Sequence, residues 1–158
     1  MHIKQLLLFS YIFIIISCGK NDSDAQHGHH VHVAPNGGQL LEVGEHGSGY
    51  NLELLLHHDG FLQIYVLDAH AENYVRIVSD SINFEILLEN NQTKQFKCEA
   101  IEDPSTGEIV GNTSLFTSTE RVTEYLPFKA IIPKLDILEF TFENLSFELV
   151  QPPTSQPE

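Results

Sequence analysis

The stretch from Tyr50 to Leu67, YNLELLLHHDGFLQIYVL, decides the fold. Tyr50, Leu52, Leu54 and Leu56 alternate with Asn51, Glu53, Leu55 and His57. A period of two is the pattern of a strand with one buried face. His58-Asp59-Gly60 follows, and Asp-Gly tolerates the positive φ that a tight hairpin demands. The chain resumes with Phe61, Tyr65 and Leu67 on one face and Leu62, Ile64 and Val66 on the other. Both faces are apolar, which predicts a strand in the middle of a sheet.

Working outward, Gly37-Gly38 predicts a tight turn and Gln39–Val43 a first strand. Asp68–Asn73 reads as a turn and Tyr74–Val78 as a short strand. Ile82, Phe84, Ile86 and Leu88 alternate again, and Asn90-Asn91 ends that strand. Phe96, Cys98 and Ala100 are expected to face inward. Asp103–Gly107 marks a loop, and 109–124, rich in Thr and Ser, has no clear assignment. Phe128, Ala130 and Ile132 form a set closed by Pro133; Leu138, Phe140 and Phe142 follow, then Phe147 and Leu149. No helical period is legible. Short strands at this spacing predict an all-β, immunoglobulin-like antiparallel β-sandwich of about eight strands, with a small barrel as the alternative. The domain is expected over 34–150, long enough for one core without disulfides.

The ends have other roles. Leu6–Ile16 is an apolar run of 11 residues behind Lys4. That length fits a signal-peptide core and falls short of the roughly 20 residues a spanning helix needs. It ends Ile15-Ile16-Ser17-Cys18, which resembles a bacterial lipobox. The resemblance implies a signal peptide over 1–17, cleavage before Cys18 and lipidation of that cysteine. Acyl chains anchor at about 0.8 kcal/mol per buried methylene, so the membrane is an expected partner through lipid alone. The expected location is the bacterial cell envelope, with Gly19 pointing to the outer membrane facing the periplasm. Residues 18–33 then form a flexible, His-rich tether and 151–158, QPPTSQPE, an extended disordered tail.

Formal net charge is −14. Removing 1–17 takes Lys4 and no acid, leaving 7 basic against 22 acidic residues, or −15. Such a chain repels phosphate backbones, so no nucleic-acid partner is expected. Two cysteines without a CxxC exclude a four-thiolate zinc site.

The run His27-Gly28-His29-His30-Val31-His32 places four imidazoles in six residues. In an extended chain, residues two apart point the same way, so His27 pairs with His29 and His30 with His32. Neutral imidazole is the commonest metal-binding side chain. Further ligands are expected from His46, Glu42, Glu45, or His70, whose ring Asp68 would orient. A divalent transition metal, zinc or copper(II), is the expected cofactor. Copper(I) prefers thiolate and thioether, and the only Met is Met1. No organic cofactor is expected. His57 and His58 flank the hairpin and are expected to be exposed. HExxH is absent and no nucleophile–base pair is legible, so no enzyme is expected.

Pro35-Asn36-Gly37-Gly38-Gln39, Val43-Gly44-Glu45-His46, Tyr50–Leu54 and Tyr65–Asp68 together resemble a small periplasmic β-domain. That domain occurs alone or at the front of periplasmic adaptors of heavy-metal efflux pumps of the cobalt–zinc–cadmium type. The likeness covers Pro35 to Asp68 and continues weakly through Gly107–Phe116. It implies His46 as a metal ligand. Asn36 stands where the family often has His, so that ligand would be missing and His32 would replace it. No helical-hairpin or lipoyl-like segment follows. The expected function is a lipid-anchored periplasmic metal-binding protein that buffers or delivers metal, accessory to an efflux or envelope protein. The alternative is a non-catalytic interaction module of an envelope complex, its His-rich linker incidental.

Overall fold

The computed structural model describes residues 32–89 and 91–150. Cys18, the 1–17 segment, His27, His29, His30 and the 151–158 tail lie outside the described residues. Among those described, eight strands form: β1 (Gln39–Val43), β2 (Tyr50–Leu56), β3 (Phe61–Leu67), β4 (Ser81–Leu87), β5 (Thr93–Ala100), β6 (Leu115–Arg121), β7 (Phe128–Ile137) and β8 (Phe140–Leu149). All pair antiparallel, in the order β1-β2-β3-β6-β5-β4-β7-β8.

The opening stretch folds as its pattern predicts. Leu52 and Leu54 of β2, and Leu62, Ile64 and Val66 of β3, are buried in one core. The turn between them closes through Gly60 N–H to His57 O, with Gly60 at φ +96°. β3 pairs with β2 on one side and β6 on the other, the interior place its two apolar faces require. β4, β5 and β6 make a meander whose last strand lies beside β3, and β7 returns beside β4; these are two overlapping Greek keys. The sheet curls so that β1 approaches β8. The result is an all-β fold between a sandwich and a barrel. Phe84 stacks on Phe96 at 5.1 Å and tilts against Phe147 at 5.9 Å, joining β4, β5 and β8. Burying a side chain of this size contributes about 1.5–3 kcal/mol. Cys98 faces this core, where burial pushes its thiol up to about 12.

Three strand expectations are corrected. Tyr74–Val78 is not a strand; it makes only the single bridges Leu67–Tyr74 and Ile77–Thr113 as the chain crosses from β3 to β4. β6 fills the unassigned 109–124 region instead. Pro133 does not end its strand, because β4 pairs with β7 only as far as Ile131 and places no demand on the missing N–H. Leu138 sits in the β7–β8 turn at φ +52°, outside the alternating set.

Candidate metal centre

Val43, the last residue of β1, takes the core side and leaves its neighbour Glu42 outside. The chain then turns through Gly44–Gly49 and closes register at Val43 and Tyr50. Gly49 N–H and Ser48 N–H both donate to Glu45 O, at 2.8 and 3.1 Å. This turn brings His46 back over β1, with Nδ1 at 3.1 and 3.2 Å from the two carboxylate oxygens of Glu42. Both side chains are more than half exposed, so the ion pair alone adds little stability.

The second imidazole comes from ahead of β1. Glu53 lies on the face of β2 opposite Leu52 and Leu54, yet it is fully buried. Its Oε1 accepts the N–H groups of Asn36 and Gly38 at 2.9 and 2.8 Å, and its Oε2 accepts Asn36 Nδ2 at 2.8 Å. Asn36 Nδ2 also donates to the Tyr74 hydroxyl at 3.1 Å. A Cβ on Gly38 would stand 2.7 Å from Leu54 O, so the backbone must be bare where it meets β2. One carboxylate thus moors the strap 34–38.

The strap delivers His32 between two other imidazoles. Its ring centroid is 5.7 Å from that of His46 and 5.8 Å from that of His70, edge-on to both. His32 Nδ1 lies 2.9 Å from the backbone oxygen of His70. A carbonyl only accepts, so Nδ1 carries the proton in the neutral ring and Nε2 is the nitrogen suited to a metal. His32, Glu42 and His46 offer donor atoms that all lie within 4.8 Å of one another. A tetrahedral zinc with bonds of about 2.0–2.1 Å spaces its donors about 3.3 Å apart. Binding an ion would draw the three donors together by up to about 1.5 Å. Among the described residues no other three His, Cys, Asp or Glu donors converge so closely.

His70 contributes its carbonyl and a ring edge and lies outside the three-donor group. Asp68 does not orient the His70 ring, as its position suggests. Its Oδ1 accepts the N–H groups of His70 and Glu72 at 3.2 and 2.9 Å, and its Oδ2 accepts Asn73 Nδ2 at 2.6 Å. A short polar side chain next to free backbone donors caps the loop before any distant ring can compete. Burial raises the Asp68 carboxyl, but the bonds from Asn73, Glu72 and His70 outweigh it and hold it below the ordinary value. A carboxylate with a depressed folded pKa adds stability above its unfolded value of about 3.9 and loses it as the pH falls through the folded one. Asp68→Ala should therefore cost on the order of 1 kcal/mol at neutral pH, after discount for solvent screening. Urea unfolding should show the gap to the parent narrowing below about pH 4; a gap independent of pH would contradict this capping role.

Asn51, opposite Glu42 in the β1–β2 register, ties the same loop to β2. Its Nδ2 donates to Asp68 O and Ala69 O, both at 3.0 Å. Its Oδ1 is buried with no hydrogen-bond partner. Asn51 lines a small cleft with Glu42, Glu45, His46 and Ala69. A buried acceptor without a donor costs about 1–3 kcal/mol. The nitrogen–oxygen donor set of His32, Glu42 and His46 fits a borderline divalent ion.

The remaining candidates are placed elsewhere. Glu45 shapes the turn through its backbone. His57 pairs with Asp59, Nδ1 to Oδ1 at 2.6 Å, and lies 4.1 Å from His58 at the other hairpin. Glu53 and Asn51, on which the centre hangs, are the residues that sequence reasoning missed. The available signal was two polar residues on a strand otherwise made of Tyr50 and four leucines. Comparison with protein-family models, curated proteins and solved structures returns no match to this chain, so the centre is to be understood from its own donors.

Proposed function

We propose that this chain is a lipid-anchored periplasmic protein that binds a divalent transition ion, zinc or copper(II), and buffers or delivers it, as an accessory to metal efflux. One observation carries the reading: a buried carboxylate holds the strap that sets His32 against His46 and Glu42. Two imidazoles and a carboxylate suit zinc and copper(II). They suit copper(I) poorly, and Cys98 is sealed in the core. Three donors leave a tetrahedral ion one further position, and His27, His29 and His30 offer imidazoles of their own in the adjoining run. The resemblance to efflux-adaptor domains agrees with a role for His46, and Asn36, occupied by Glu53, is a structural residue in this chain. The metal is held and released, and no catalytic step is assigned.

Zinc titration calorimetry tests the proposal. The parent should bind one ion at the centre, and His32→Ala combined with His46→Ala should weaken that event at least tenfold. A variant lacking His27, His29 and His30 should retain it at reduced affinity. Affinity should fall with acidification, because imidazole ligands must be neutral. Equal zinc binding by the parent and the His32/His46 double variant would refute the centre.

A further inference from the structure

We infer that the surface beside the β1–β2 turn is a binding site for a poorly hydrated organic cation, an alkylated ammonium group seated in a cup of three aromatic rings. The inference stands apart from the metal reading. Tyr50 opens β2, while Phe140 and Phe142, two residues apart at the start of β8, share a face. Their ring centroids form a near-equilateral triangle: Tyr50–Phe140 6.2 Å, Tyr50–Phe142 6.1 Å and Phe140–Phe142 6.5 Å. With Gly44, Glu45, Ser48 and Gly49 they line an open cavity of about 390 Å³. A Cβ on Gly44 would stand 3.1 Å from the Phe142 ring, so this glycine lets the ring lie against the turn.

The charge around the cup selects the ligand. Aromatic faces attract cations within about 6 Å of the ring centroid. An ion seated above this triangle is within that reach of all three. Glu45 lines the wall. Glu139 immediately precedes Phe140 in the exposed β7–β8 turn, which adds a second carboxylate next to that ring in the chain; burial first, and then its negative charge, raise the Tyr50 phenol. Among the described residues no Lys or Arg lines the cavity. A chain of net charge −14 favours a cationic ligand and opposes self-association through this face. The walls are mainly carbon, so a metal ion or a bare ammonium would lose hydration with little to replace it. An alkylated ammonium has little hydration to lose and buries its methyl groups on the rings.

The test is an NMR titration of the ¹⁵N-labelled chain with choline, in the presence of a chelator to silence the His46 centre. The neutral isostere 3,3-dimethylbutan-1-ol serves as control. Choline should give saturable shifts at Gly44, Gly49 and the residues around Phe140, and bind at least about fivefold tighter than the alcohol. Phe140→Ala should weaken choline about fivefold, and Glu139→Gln about twofold. Phe140 is 51% exposed and Glu139 lies in an exposed turn, so neither change threatens the fold. Co-sedimentation with phosphatidylcholine vesicles that free choline reverses would identify a lipid headgroup as the source. Choline binding without sedimentation would identify a free cation. Equal affinity for the alcohol, no saturable shift, or an unchanged Phe140→Ala variant would each overturn the site.

Discussion

Replacing Glu53 with alanine is expected to destabilise the domain by about 3–5 kcal/mol and to weaken zinc binding at a centre that Glu53 does not touch. Three N–H donors converge on the two oxygens of this buried carboxylate. Hydrogen bonds to charged groups contribute about 1.5–3 kcal/mol each, and they do not sum fully when the strap can swing out to water. Against a typical total of about 5–15 kcal/mol, the loss should lower the thermal midpoint by about 10 °C or more. Glu53→Gln should be milder, near 1 kcal/mol, because Asn36 can turn its amide and offer oxygen to the new NH₂ group. With the strap released, His32 keeps only its bond to the His70 carbonyl to hold it near His46, and zinc affinity should drop at least tenfold, measured well below the melting temperature. A Glu53→Ala protein within 0.5 kcal/mol of the parent would remove the clamp; a destabilised one with unchanged zinc affinity would detach the strap from the centre.

This clamp marks where the sequence stops being readable. Leu52, Leu54, Leu62, Ile64 and Val66 declare the core by spacing alone, and β1, β2 and β3 begin and end where the pattern says. β6 is silent because only Phe116 carries its buried apolar face. Its next inward residue, Ser118, is polar, accepts Leu62 N–H at 2.9 Å and donates to Glu120 O at 2.7 Å. Tyr74–Val78 looks like a strand by composition, but it is committed to crossing between layers and finds no neighbour to ladder with. Glu53 would be assigned to solvent by alternation, since period two cannot show that a strap from 15 residues upstream covers the outer face. The same limit applies to the histidines. Pairing at two-residue spacing joins His30 to His32, whereas the fold joins His32 to His46 and His70 across turns that local pattern does not encode. His46 and Glu42 stand among the further ligands expected beside the histidine run, and both lie in the three-donor group with His32.

The turn that carries His46 gives an equally severe test. Gly49→Ala would place a Cβ 2.2 Å from Val43 O and 3.1 Å from Glu45 O, both backbone atoms. Neither can retreat cheaply: Val43 ends β1 in register with Tyr50, and Glu45 O holds the turn by accepting Gly49 N–H at 2.8 Å. The substitution must open that turn, at a cost of about 2–4 kcal/mol by equilibrium denaturation. His46 should swing away from Glu42 and His32, and zinc affinity should fall with it. Gly47→Ala in the same turn is the control. It meets nothing within 4 Å, and its φ of +80° carries only the left-handed strain of roughly 1–2 kcal/mol. Zinc binding should survive at Gly47 and fail at Gly49. If both variants bind zinc like the parent, the position of His46 over β1 is immaterial to the ion. If both lose it equally, the turn acts through its overall stiffness and the close approach at Gly49 has no special part.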